Sequence, residues 1–199
     1  MKHLSLLLLL SATLTSCGLI EINGISYSGL SKASKERILK CDKPIDCLSC
    51  DGNIYQISAQ QLKEHLQKHE NVILYQYLSY CSNKDCISPY AAEKISNIFG
   101  FDFCIVADSY DYLFLTDDIK APMLIPDHEL YKTQKIGKLN RRFYDELTGV
   151  TKEERGYNRF FYFRRGEYVC SYGSLKEAQY VLRKNYDERT SKMLDDFFK

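Results

Sequence analysis

Apolar positions along this chain recur with two spacings, and the switches between them predict where strands and helices fall. Ile54 to Ile57 alternates as a short strand, and Ser58 follows where a helix N-cap belongs. Ala59, Leu62 and Leu66 then share one helical face. Val72 to Leu78 is a continuous apolar and aromatic run, which suits a buried central strand. Pro89 stands in a first helical turn, where a missing N–H is tolerated, and Ala92, Ile95 and Phe99 line the helix behind it. Phe101 to Ala107 makes a second buried strand closed by Asp108, and Met123-Leu124-Ile125 a shorter one between Pro122 and Pro126. Ile136, Leu139, Phe143 and Leu147 mark a further amphipathic helix. Arg159 to Arg164 and Glu167 to Ser171 form a hairpin across Arg165-Gly166. Leu175, Ala178 and Leu182 define a last packed helix, which the charged tail beyond Asp187 continues.

Strands alternate with helices early, and a hairpin with a helix ends the chain. That order predicts an α/β layer fold with a mixed sheet. Ahead of it, residues 18–40 show little apolar periodicity beyond Ile20 and Ile22, and are expected to be a tether passing into a first structured element. A cysteine-dense stretch, Cys41 to Cys50, ends at the turn signal Asp51-Gly52. The expected division is therefore 1–16, 17–53, 54–186 and 187–199.

The first of these segments carries an address. Lys2 and His3 precede the leucine-dominated run Leu4 to Leu10, and Leu14-Thr15-Ser16-Cys17 closes it. Charge, apolar core and small residues in that order make a secretory signal, and the run is too short to span a bilayer. The last four residues resemble a bacterial lipobox. The resemblance implies that residues 1–16 are removed and that Cys17 carries the lipid that attaches the chain to a membrane. Gly18 stands where an acidic residue would resemble an inner-membrane retention signal. The expected location is the bacterial cell envelope, on the outer membrane facing the periplasm. In this respect the chain resembles envelope lipoproteins of Bacteroidota.

Charge and cysteine content narrow the picture further. Lys and Arg number 27 against 26 Asp and Glu, a balance that gives no footprint for nucleic acid. Sixteen tyrosines and ten phenylalanines supply ample core-forming area without tryptophan. Besides Cys17 the chain holds Cys41, Cys47, Cys50, Cys81, Cys86, Cys104 and Cys170. In an exported protein these favour disulfides over zinc. Cys41, Cys47 and Cys50 lack a fourth ligand at finger-like spacing, so a disulfide among them is expected. Cys104 falls inside a buried strand as a small core residue. Cys170 alternates with Tyr168 and is either core or a partner for another cysteine.

The strand Val72 to Leu78 runs into Tyr80-Cys81-Ser82-Asn83-Lys84-Asp85-Cys86, and a helix begins just after. Residues 54–186 resemble the thioredoxin superfamily, in which paired cysteines sit at this strand-to-helix junction. Gly156 to Phe163 followed by Arg165-Gly166-Glu167 resembles the family's closing hairpin, with a longer insertion before it. The expected fold is thus a thioredoxin-like three-layer sandwich with a mixed sheet, a terminal β-hairpin and helix. A helix start stabilises a thiolate, and Lys84 adds positive charge. The resemblance implies Cys81 as nucleophile and Cys86 as resolving thiol, with Tyr80, Lys84 and Asn158 facing the site. Expected partners are cysteine-containing envelope proteins, and no dissociable cofactor is expected.

The departures are specific. Four residues separate the cysteines rather than two, Tyr80 replaces the family's tryptophan, and Asn158 occupies the cis-proline position. A cis bond before a non-proline residue costs several kcal/mol, so that geometry is not expected here. The peroxiredoxin branch with this cysteine spacing needs a threonine where Leu78 stands, so peroxidase activity is not expected. A structural staple at Cys81 and Cys86, in a non-catalytic binding or assembly lipoprotein, is the competing reading.

The remaining candidates carry less. His65 and His69 share a helical face and could meet a metal, but Lys63, Glu64, Lys68 and Glu70 crowd them and suggest a solvated surface. No metal site is assigned. His128 stands alone after Pro126-Asp127. Arg141-Arg142, Arg155, Arg159, Arg164 and Arg165 are expected to pair with nearby carboxylates rather than grip phosphates.

Overall fold

The computed structural model describes residues 24–78, 87–112, 119–174 and 177. Seven strands form one mixed sheet: β1 (Ile38–Lys40), β2 (Ile54–Ile57), β3 (Asn71–Tyr77), β4 (Asp102–Ala107), β5 (Met123–Pro126), β6 (Phe160–Arg164) and β7 (Glu167–Tyr172). Their order is β1-β2-β5-β4-β3-β6-β7. Pairings from β1 through to β3 are parallel, and β6 and β7 close the sheet antiparallel. The helices are α1 (Lys32–Glu36), α2 (Ala59–Leu66), α3 (Pro89–Ile98), α4 (Ile136–Thr148) and α5 (Lys152–Arg155).

Local signals place the helix starts. Ser58 accepts from the Gln61 N–H at 3.1 Å while the Gln61 side chain accepts from the Ser58 N–H at 2.9 Å, a reciprocal cap on α2. Ser88 accepts from Ala91 at 3.2 Å, with Pro89 opening α3 as expected. At the β6–β7 turn, Arg165 and Gly166 have φ of 50° and 82°, which suits the twist of a two-residue hairpin. A side chain at Gly166 would also sit 2.5 Å from Gln67 Cγ.

Side-chain alternation along the strands divides the core into two layers. Ile73 and Tyr75 of β3, Ile105 and Ala107 of β4, and Phe160 of β6 face α3, against Ala92, Ile95 and Phe99. Val72, Leu74, Val106, Phe161 and Phe163 face α2 and α4, against Leu62, Leu66, Leu139 and Phe143. The three-layer α/β arrangement expected from the sequence is present. Each fully buried large apolar side chain stabilises it by about 1.5–3 kcal/mol.

Two features go beyond the sequence pattern. The segment ahead of β2 is structured from the turn Tyr27–Gly29 onward; Leu30 and Ile45 are buried and β1 extends the sheet edge. Strand β5 inserts between β2 and β4 rather than lying outside the sheet. The predicted helix of Leu175, Ala178 and Leu182 and the tail 187–199 lie outside the described residues, as does the signal segment. No helix among the described residues is long and apolar enough to cross a membrane.

Candidate functional site

Parallel strands present their carboxyl ends along one edge, and the crevice outside that edge is where open α/β sheets place ligands. Here β3 ends at Gln76 and Leu78, β4 at Asp108, and β6 is entered through Asn158 and Arg159. The first turns of α4 and the body of α5 complete the wall of a cavity of about 280 Å³. A second, wider groove of about 860 Å³ shares Ile136, Gly137, Arg141 and Lys152 with it and adds Lys135, Lys138 and Arg142.

The lining is cationic. Arg141, Lys152, Arg155 and Arg159 line the cavity together with Asp108, the one carboxylate in the wall among the described residues. Arg155 is buried and pairs with Asp145, and also donates to the Val150 carbonyl at 3.0 Å. The Lys152 ammonium lies 4.4 Å from the Tyr157 ring centroid. Asn140 Oδ1 and the Tyr144 hydroxyl are buried in the wall and lack a hydrogen-bond partner among the described residues. Asn140 uses its other arm to donate to the Asp108 carbonyl at 2.8 Å. Burial pushes the Tyr144 phenol well above its usual range, so it stays a neutral donor. A wall in which cations outnumber carboxylates concentrates anions, and the Tyr144 hydroxyl is a donor that can orient one, whereas Asn140 Oδ1 can only accept.

Asn158 is the one sequence-predicted site residue inside the described set. It lines the cavity, and its Nδ2 donates to the Arg155 carbonyl (3.1 Å), the Ser171 carbonyl (3.0 Å) and Ser171 Oγ (3.0 Å). It therefore fastens the end of α5 to β7. No cis peptide bond occurs among the described residues, so the family's cis-proline geometry is absent at Asn158, as its identity predicts. Cys81, Cys86, Tyr80, Lys84 and the lipidation residue Cys17 lie outside the described residues.

The other cysteines and histidines bring corrections. Cys41, Cys47, Cys104 and Cys170 carry free thiols in this structure, and no disulfide joins the described cysteines. Cys41 is buried instead, its Sγ donating to the Lys43 carbonyl at 3.1 Å, and burial raises its pKa. Cys104 is the core residue expected, its thiol pushed up to about 12 by burial. His65 is not on a solvated surface: its side chain is 11% exposed and held between Asp46 and Cys104.

His128, isolated in sequence, is buried with its Nδ1 2.8 Å from Gln56 Nε2 and 3.2 Å from the Tyr110 hydroxyl, under the Tyr27 ring at 4.2 Å. Burial lowers its pKa and favours the neutral ring. Of the arginines, Arg155 and Arg165 pair with carboxylates as expected, whereas Arg141 and Arg159 line the cavity. Of the basic residues at this helix start, Arg141 lines the cavity, while Lys135, Lys138 and Arg142 line the second groove. Compared with known protein families, curated proteins and solved structures, the chain matches none.

Proposed function

We infer that this chain is a lipid-anchored protein of the bacterial cell envelope whose thioredoxin-like domain exchanges thiols and disulfides through Cys81 and Cys86. The observation that carries the reading is the frame on either side of the two cysteines. Strand β3 runs out at Leu78 in the wall of the cavity. On the far side, the Ile87 carbonyl is held by the Tyr75 hydroxyl at 2.9 Å, and α3 opens at Pro89. The residues joining these anchored points include both cysteines, and Asn158 shares the cavity wall with Leu78.

In exchange, the Cys81 thiolate attacks one sulfur of a partner disulfide and releases the other as thiolate. The Cys86 thiolate then attacks Cys81 sulfur, forming the Cys81–Cys86 disulfide and releasing the second partner thiolate. Two electrons and two protons pass from the chain to the partner, so no cofactor is needed. The N-terminus of α3 and Lys84 favour the attacking thiolate. Partners are cysteine-containing envelope proteins, reached from the lipid at Cys17.

The cationic cavity favours a second reading, a binding or assembly lipoprotein whose cysteines are structural. Tyr144, Arg141 and Lys152 suit a carboxylate or phosphate group on the partner. One comparison separates the two, using the full chain in detergent and a peptide with a disulfide and an acidic flank. Under the exchange reading, Cys81→Ser abolishes reduction of the peptide and Cys86→Ser accumulates the mixed disulfide. Reduction that survives Cys81→Ser overturns it. Under the binding reading, Arg141→Glu with Lys152→Glu weakens peptide capture by at least about tenfold, and Cys81→Ser with Cys86→Ser changes thermal stability alone. Cys17→Ala is expected to remove palmitate labelling under both; retained label overturns the anchor.

A further inference from the structure

At the opposite edge of the sheet, the last turn of α2 meets the turn Ile45–Cys47 and the start of β4. Asp46 Oδ1 lies 2.7 Å from His65 Nδ1 and 3.3 Å from His69 Nε2. The two imidazole rings stand 4.5 Å apart, and one donor atom from each of the three residues lies within 4.8 Å of the others. The far nitrogens are engaged as well. His69 Nδ1 is 3.0 Å from Asp102 Oδ2, and His65 Nε2 is 3.2 Å from Cys104 Sγ. Lys68 donates to the other Asp46 oxygen at 2.7 Å.

A neutral imidazole has one N–H, yet His69 has a carboxylate oxygen at both nitrogens. A proton on Nδ1 satisfies Asp102 and leaves the Nε2 lone pair facing Asp46. A proton on His65 Nε2, directed at the Cys104 sulfur, likewise leaves the Nδ1 lone pair facing Asp46. Two nitrogen lone pairs and one carboxylate oxygen then converge on a single point, which a cation resolves. Metal-bound histidines are oriented in this way, with the outer N–H held by a carboxylate or another acceptor.

We propose that Asp46, His65 and His69 bind a divalent first-row transition ion of the Zn²⁺ class, with a fourth position open to water. Imidazole and carboxylate donors suit that class, and three protein ligands leave such an open position. At metal–ligand distances of about 2.0–2.2 Å, tetrahedral donors stand roughly 3.3–3.6 Å apart. The His69–Asp46 separation already meets this, and the His65–Asp46 contact needs to widen by about half an ångström. Burial lowers the His65 pKa and keeps it neutral, as ligation requires. The Lys68 ammonium holds the Asp46 carboxyl well below the usual carboxylate range, so it is ionised. The ion ties the segment ahead of β2 to the helical layer, and the site does not rest on the exchange chemistry.

The test is a Zn²⁺ titration of the metal-stripped, reduced full chain in detergent, against a chromophoric chelator. One high-affinity equivalent is expected. His65→Ala and His69→Ala should each weaken it by more than about 100-fold, and Asp102→Asn by about tenfold through loss of the outer hydrogen bond. Cys81→Ser with Cys86→Ser, and Cys47→Ser, should bind as the parent does. Zn²⁺ should raise the Tm of the parent and leave that of His69→Ala unmoved, while metal-free His69→Ala keeps its circular dichroism. Unchanged affinity in His69→Ala, or binding lost in the cysteine variants alone, overturns the proposal.

Discussion

Replacing Phe161 with alanine is expected to remove about 3–5 kcal/mol of stability, among the largest losses expected from one side chain in this domain. Phe161 lies in the middle of β6, paired with Leu74 of β3 on one side and Ser171 of β7 on the other. Its ring stacks on Tyr144 of α4 at 4.9 Å with 9° between the planes, and it is 1% exposed. Truncation loses the transfer free energy of the ring and leaves a hole that backbone on three sides cannot close. The loss is measured as a fall in the urea midpoint with an unchanged slope. Phe161→Leu, which keeps most of the volume, should cost less than half as much. Loss below about 1 kcal/mol for the alanine variant contradicts the packing described. Because small domains are stable by only about 5–15 kcal/mol, this variant is also expected to express poorly.

The second large effect is polar. Glu93 sits on α3 with its carboxylate buried, and accepts from three backbone contacts: Lys120 N at 3.1 and 3.0 Å to its two oxygens, and Ala121 N at 2.8 Å. These bonds fix the chain just before β5. Charge-assisted bonds of this kind contribute about 1.5–3 kcal/mol each, and removing the carboxylate takes the acceptor from the buried Ala121 N–H. Glu93→Ala is therefore expected to cost about 3–4 kcal/mol in the same denaturation experiment. Glu93→Gln keeps one acceptor oxygen but turns the other arm into a donor facing N–H, and should lose about half of that. Equal, small effects for both variants would mean that the segment before β5 finds other partners. Accelerated amide exchange at Ala121 in Glu93→Ala would tie the loss to this clamp.

Elements with strong periodicity were legible without coordinates. Ser58, Pro89 and the apolar stripes of α2, α3 and α4 act through neighbours within one turn, so their meaning is local. The two runs that became β3 and β4 were legible for a related reason: strands buried on both faces need no polar alternation. β1 and the packing from Tyr27 onward were not, because three residues of ladder leave too short a pattern to distinguish from a tether. The position of β5 inside the sheet was equally hidden, since strand order depends on which edges meet and not on any one strand's composition. The cavity draws its wall from β3, β4, α4, α5 and the entry to β6. Its arginines stood out in the sequence only as expected partners of carboxylates, and the idle Asn140 and Tyr144 atoms did not stand out, because an unmet hydrogen bond is a property of the assembled surroundings. The shared face of His65 and His69 was visible, but Asp46 and the partners of His128 escaped for the same reason, lying 18 to 72 residues away.

The ladder between β4 and β5 is two residue pairs long, Ile105 with Met123 and Val106 with Leu124, whereas β3 pairs with β4 over six positions. The sheet therefore has a seam. On one side lie β1, β2 and β5; on the other, β3, β4, β6 and β7, which share the longer ladders. A pull on the amino end of the chain first meets the hydrogen bonds of Ile25 with Tyr110 and Asp111, and then β1, an edge strand with a three-pair parallel ladder. Once those contacts part, β1, β2 and β5 have only the two-pair seam to hold them, while the longer ladders keep β3, β4, β6 and β7 together.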